Sequence, residues 1–341
     1  VEIIAQKEDC DLLMKTLGGK FIISSPAFKK ILNDYFNPDR FFFTKQGSDI
    51  FPLVVKNNCA YFYGGDVPYN DYNLFPRSKS LISKTLDYLQ KNNINFKLTS
   101  IINDPITSLE AKYRKHDVPY NQNWSLNNIN EYNSGSIIEK TKVKKKRDKI
   151  KRSLKKMEDY NFIRVEREDY ISSYMNNLLD LSISSFSKRG KINSWEMYSD
   201  LYRNISEYFL NNHDCINTVI TKDHEILGSY NLVFSGNEAF LAFCNCYNLI
   251  DKSLAYILYF DALEESKNYA QSNKVHNLFF NAGRGSFSYK KRMKLNPLPM
   301  YAIVDHPDWK IKLNTDLSYQ ETTNLYKRRF FGFNDKGGNS E

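Results

Sequence analysis

A chain of 341 residues is long enough for two domains, and a hydrophobic content of 41% with 14 Gly and 10 Pro excludes collagen-like and low-complexity classes. Five cysteines without framework spacing argue against a disulfide scaffold and for a reducing compartment; with no apolar run of about 18 residues and no signal-like N-terminal pattern, the expectation is a soluble, cytoplasmic protein without a membrane span. A net charge of +9 and a pI near 9.0 favour anionic partners.

From the N-terminus, Glu8 to Leu17 has helical spacing, and Ser25-Pro26 opens a second helix running to Phe36, with proline where its missing N–H is tolerated. Arg40 to Lys45, Ile50 to Lys56 and Ala60 to Gly64 are short apolar or aromatic runs parted by Gln46-Gly47-Ser48-Asp49 and Asn57-Asn58, turn residues that predict an antiparallel meander. A polar loop from Gly65 to Asn73 leads to a helix at Ser78 to Lys91, a strand at Phe96 to Ile101, a helix at Ser108 to Arg114 and a last strand near Asn121 to Leu126. Asn127 to Ser136 is polar and reads as a linker. Eleven Lys or Arg against one Asp then lie between Lys140 and Lys156, above a stripe of Val143, Ile150, Leu154 and Met157. A solvated helix face is the commonest reason for such a run, and a surface for a polyanion is the other.

The second half repeats the plan. Phe162 to Glu166 is a predicted strand, Tyr170 to Ser187 and Ser194 to Asn211 are helices, and Cys215 to Thr221, Glu225 to Phe234 and Ala239 to Tyr247 form a second meander. The last of these is apolar on both faces, as in a strand covered on both sides. Cys244 and Cys246 share one face, but no second cysteine pair or nearby histidine completes a metal site, so they read as core thiols and no metal is expected. Lys252 to Ala270 has helical spacing, Val275 to Asn281 is a strand, and Ala282-Gly283-Arg284-Gly285 breaks it. Ser286 or Ser288 can cap a helix holding Tyr289, Lys290, Lys291 and Arg292, and Tyr301 to Val304 closes the half. Tyr72-Asn73-Leu74 precedes Ser78-Lys79-Ser80-Leu81 as Tyr247-Asn248-Leu249 precedes Asp251-Lys252-Ser253-Leu254, each between a meander and a helix. This implies an internal duplication with a period of about 175 residues.

Three antiparallel strands, a helix, a strand, a helix and a last strand is the plan of the GNAT acyltransferases, and two such units joined by a basic helix resemble their FemABX-like branch. The resemblance is carried by Asp71-Tyr72-Asn73, the basic helix with Arg147 and Arg152, and the run from Gly283 to Leu295. It implies an α/β fold with mixed (α+β) sheets: a GNAT-like domain at 1–135, a linking helix at 136–160, and a second GNAT-like domain at 161–341 that carries the acyl-donor site. The implied reaction is attack of an amine on an acyl-CoA, a carrier-protein thioester or an aminoacyl-tRNA to form an amide, driven by positioning and oxyanion stabilisation. Lys290 matches the family's lysine, and Tyr289 is a candidate proton donor; the other reading of Lys290 is surface charge on a basic helix. Asn245, Asn248, Ser253, Leu254 and Ala255 are the expected donor contacts. Asp71, Tyr72, Asn73 and Arg284 are the expected contacts of a small-molecule or peptide amine acceptor. Asn248 to Ala255 contains no glycine and holds Asp251, unlike the family's glycine-rich phosphate loop, which adds weight to a tRNA or acyl carrier protein as the donor's carrier. The donor is a co-substrate rather than a permanently bound cofactor. The alternative is a non-catalytic nucleic-acid-binding protein that uses the basic helix.

Overall fold

The computed structural model describes residues 1–17, 21–70, 72–73, 75–102, 115–117, 123–139, 141–187, 194–246, 254–284, 290, 293, 295–298 and 301–305. The chain divides into two compact units, Val1–Gln122 with Leu298–Asn334, and Asn123–Pro297 with Asp335–Glu341.

In the first unit a short strand, β1 (Glu2–Ile4), precedes helices α1 (Lys7–Leu17) and α2 (Pro26–Phe36). Ser25 caps α2, its Oγ accepting from the Phe28 N–H at 3.3 Å, and Asn37 ends the helix in the left-handed region. The meander follows as β2 (Arg40–Gln46), β3 (Asp49–Lys56) and β4 (Cys59–Phe62). Helix α3 (Lys79–Lys91), capped by Ser78, buries Leu81, Ile82, Leu86 and Leu89 at helical spacing, and β5 (Asn95–Ile101) and β6 (Lys115–Asp117) come after it. The helix expected at Ser108 to Arg114 lies outside the described residues.

The second unit starts with β7 (Asn123–Leu126), α4 (Ser134–Glu139), α5 (Lys144–Lys156) and β8 (Asn161–Val165). A helical run then combines α6 (Arg167–Asp169), a π-type turn at Tyr170–Tyr174 and α7 (Met175–Ser187), and the next predicted helix is broken into α8 (Ser194–Met197) and α9 (Ser199–Asn212). The meander is β9 (Asp214–Lys222), β10 (Glu225–Ser235) and β11 (Glu238–Cys246), followed by α10 (Leu254–Ser272), β12 (Phe279–Arg284) and β13 (Asn296–Leu298). The last described strand is β14 (Tyr301–Asp305).

The first sheet runs β1-β2-β3-β4-β5-β14-β6 and the second β8-β9-β10-β11-β12-β7-β13. In both, the first four strands are antiparallel, the fourth and fifth are parallel, and the fifth and sixth are antiparallel. The repeated plan is therefore real at the level of strand order and polarity.

Several expectations are corrected. The strand near Leu126 does not close the first half, and Tyr301 to Val304 does not close the second: β7 pairs with β12, while β14 lies between β5 and β6 with Ile303 in the first unit's core. Alternation identifies a strand but leaves its partner to non-local packing. The supposed linker is packed, with Ile129, Tyr132 and Ile137 in the second unit's core beside Ile150 of α5 and Leu258 of α10. Helix α5 is thus part of the second unit, and Val143, expected beneath its charges, is 50% exposed. The strand expected from Val275 begins at Phe279 and continues through Gly283.

Candidate functional site

The fourth and fifth strands of each sheet pair briefly and then part. β4 meets β5 at Cys59–Asn95 and Ala60–Phe96; β11 meets β12 at Glu238–Phe279, Ala239–Phe280 and Phe240–Asn281. Beyond these points the strands part: β11 and β12 run on unpaired with each other, leaving a cleft in the second sheet, whereas in the first sheet Asn73 bridges to Ile101 where β4 has left β5. The other edge of each fifth strand carries a bulge: one extra residue lies between Leu98 and Ile101 relative to β14, and one between Asn281 and Arg284 relative to β7. Each bulge holds a residue at positive φ, Ser100 at 58° and Gly283 at 65°. By cross-strand register, Thr99 and Ser100 correspond to Ala282 and Gly283. A bulge interrupts the ladder, so its carbonyls need other donors.

In the second unit that donor is Lys290. Its Nζ donates to Ala282 O at 2.7 Å and Gly283 O at 3.1 Å, and the residue is 2% exposed. Asn281, fully buried, holds the bulge in place: its Nδ2 donates to Glu238 Oε1 at 2.6 Å, and its Oδ1 accepts from the Gly283 N–H at 3.0 Å. Glu238 is also where β11 first pairs with β12, so one buried carboxylate and one amide anchor the closed end of the cleft. Burial lowers the Lys290 pKa from 10.5 to about 7, partly offset by Cys244 on β11. A Cβ on Gly283 would have ordinary room, 3.8 Å from the Phe240 ring and 3.9 Å from Leu241 O. Its backbone angle, not space, calls for glycine.

In the first unit the equivalent carbonyls are satisfied by Asn73. Its Nδ2 donates to Thr99 O at 3.0 Å and its backbone N–H to Ser100 O at 3.0 Å. Its Oδ1 accepts from Lys29 Nζ at 2.9 Å, and Lys29 also donates to Asn70 Oδ1 at 2.6 Å. A neutral amide stands where the second unit has an amine.

Of the residues expected to act, Lys290 is buried against two carbonyls, which overturns the reading of it as surface charge. Asn245 and Arg284 are placed by their backbones, opposite Ser229 and Asn123; their side chains, like Tyr289, Asn248, Ser253 and Asp71 as a whole, lie outside the described residues. Leu254 and Ala255 open α10, and the Leu254 side chain is in the core, so its backbone is what it can offer a ligand. Tyr72 is buried at φ 56° with its ring 4.4 Å from that of Phe21. With Asn73 it lines a cavity of about 250 Å³ in the first unit, which also takes in Lys29, Asp49, Phe75 and Arg77. Glu238, Asn281 and Lys29 were not foreseen. The available signal was a polar residue inside an apolar run, as Asn281 is after Leu278-Phe279-Phe280. Among the described residues no group of three or more His, Cys, Asp or Glu is placed to hold a metal ion, and no helix is long and apolar enough to cross a membrane.

No protein-family profile and no curated protein sequence matches this chain. Solved structures do resemble it. The C-terminal domain (DUF2156) of a putative lysylphosphatidylglycerol synthetase from Agrobacterium fabrum aligns over 89% of this chain and 94% of its own, at 10% identity and a TM-score of 0.51. L-PGS from Bacillus licheniformis aligns over 95% and 96%, at 12% identity and 0.51. A tandem GNAT protein from the clavulanic acid biosynthesis pathway, solved without AcCoA, aligns over 89% and 98%, at 9% identity and 0.50. Identities this low speak for architecture only, and the architecture of this chain is the tandem GNAT fold.

Proposed function

We propose that the second unit is an acyltransferase that forms an amide on an amine acceptor. The observation that carries this reading is the amine of Lys290, desolvated at the mouth of a bulge beside the β11–β12 cleft with its pKa brought to about 7. An acyl-CoA, an acyl carrier protein or an aminoacyl-tRNA enters that cleft, where residues 241–246 of β11 run on past their last pairing with β12. Asn245, Asn248, Ser253, Leu254 and Ala255 contact the donor, and Arg284 the acceptor, a small molecule or a peptide. For Asn73 the reading is structural, since its amide is spent on Thr99, Asn70 and Lys29.

The acceptor nitrogen attacks the donor carbonyl carbon, a C–N bond forms, and the carbonyl oxygen takes up negative charge that the Lys290 ammonium stabilises. Collapse breaks the C–S or C–O bond, and the proton lost by the acceptor nitrogen goes to the leaving sulfur or oxygen, with Tyr289 as its carrier.

The test supplies acetyl-CoA, or a mixed pool of aminoacyl-tRNAs, together with amino acids, polyamines and short peptides, and detects amide products by mass spectrometry. Lys290→Gln should fold, because an amide N–H can serve a bulge carbonyl as Asn73 Nδ2 serves Thr99 O, yet lose at least about 100-fold in turnover. No product from either donor, or undiminished product from the folded variant, overturns the reading.

A further inference from the structure

The first unit encloses the cavity of about 250 Å³ that Tyr72 and Asn73 line, and no step of the proposed reaction uses it. Its lining runs from Met14 to Arg77, wholly within that unit. Much of the wall is apolar and fixed: Met14, Ile50, Phe62 and Phe75 are all buried. The volume falls just below the ~300 to 1,000 Å³ of sites that hold drug-sized molecules, so an occupant must be small.

The charges around this space are unequal. Lys29, 3% exposed, brings an ammonium to the inner wall. Its bonds to Asn70 Oδ1 and Asn73 Oδ1 are to neutral amides, which orient the ammonium without cancelling its charge. Arg77 is the exposed cation of the lining and makes no ion pair among the described residues. The carboxylate of the lining, Asp49, is turned to α3, where its Oδ2 accepts from the Ser78 N–H at 2.7 Å at the positive end of the helix. Backbone strain points to the same place. Tyr72 is buried at φ 56° and Tyr69, in the same loop, stands at φ 67°, a region that a bulky side chain enters at a cost and that concentrates where a segment is shaped to clamp a ligand.

We infer that this cavity is a binding site for a small aryl carboxylate that carries no amine, its ring against Phe62, Tyr63 and Phe75 and its carboxylate drawn to the cations of Lys29 and Arg77. A protonated amine acceptor, the ligand expected at Tyr72 and Asn73, would meet two like charges here. A phosphate dianion would bring a second charge to be desolvated against one buried ammonium. This inference does not depend on the chemistry at Lys290.

The experiment titrates the full chain calorimetrically with phenylacetate, with phenethylamine, which has a similar body and the opposite charge, and with acetate, which lacks the ring. Phenylacetate should bind saturably, and the other two should not. Arg77→Gln, at an exposed position, should fold as the native chain does and weaken phenylacetate by about tenfold, the worth of one hydrogen bond to a charged group. Leu17→Trp, at a half-buried position of the lining, should fill the space and abolish binding while circular dichroism stays native. Lys290→Gln should bind phenylacetate as the native chain does. Absence of saturable binding, equal affinity for phenethylamine, or native affinity in the folded Arg77 and Leu17 variants overturns the inference. Loss of binding in Lys290→Gln overturns it in favour of a site in the second unit.

Discussion

Thr99 and Ser100 in the first sheet and Ala282 and Gly283 in the second occupy the same register of the same bulge, yet their carbonyls are satisfied in different ways. Asn73 reaches the first pair from upstream in the chain, offering one side-chain and one backbone N–H and linking on to Lys29. Lys290 reaches the second pair from downstream, offering both N–H bonds from one amine. A backbone defect that opens a sheet imposes an unmet need for donors, and any suitably placed donor can meet it. A neutral amide makes the defect a plug. An amine makes it a place where a charge can be held out of water, with a pKa near the working range.

The largest effects come from exchanging these roles. Lys290→Gln should remove turnover and spare the fold; Asn73→Ala should do the reverse, destabilising the protein by about 3 kcal/mol through stranded polar groups around Lys29 while leaving kcat unchanged. Urea midpoints and rates on the folded fraction measure both, and loss of kcat in folded Asn73→Ala would break the comparison.

The pH dependence sharpens it. The folded pKa of Lys290, about 7, lies below the 10.5 of the unfolded chain, so between these values the unfolded chain binds the additional proton. The contribution of this group to stability is greatest above pH 10.5 and is lost as the pH falls towards 7. Lys290→Gln should therefore gain in Tm relative to the native chain as the pH is lowered through this window. A Tm difference independent of pH would show that the amine is not desolvated.

Smaller effects separate space from backbone angle at two glycines. Gly65, at φ 71°, would place a Cβ 2.1 Å from the Phe36 ring, so Gly65→Ala should cost about 3 kcal/mol. Gly283, at φ 65°, has room for the extra carbon, and Gly283→Ala should cost about 1 kcal/mol. Equal costs in denaturant titrations would mean that the angle alone governs both.

Much of the local structure was legible. Ser25-Pro26 and Ser78 announced their helices because a cap is a short-range hydrogen bond, and the two meanders were visible because turn residues and alternating apolar positions are local signals. Lys290 was legible as a residue after a glycine turn. Its surroundings were not, since Glu238 and Asn281 are 43 positions apart and their hydrogen bond has no local signature.

The sequence by itself determined the two meanders and most of the longer helices, that the plan occurs twice, and that α5 is strongly basic, all consequences of residue chemistry over one or two turns of chain. Only the tertiary structure decided that β7 and β14 change places between the sheets, that the supposed linker is core, and that Lys290 is buried. Each of these is a choice among partners distant in sequence, made by the burial of apolar surface and the satisfaction of backbone groups at a bulge, and neither quantity exists until the chain has closed on itself.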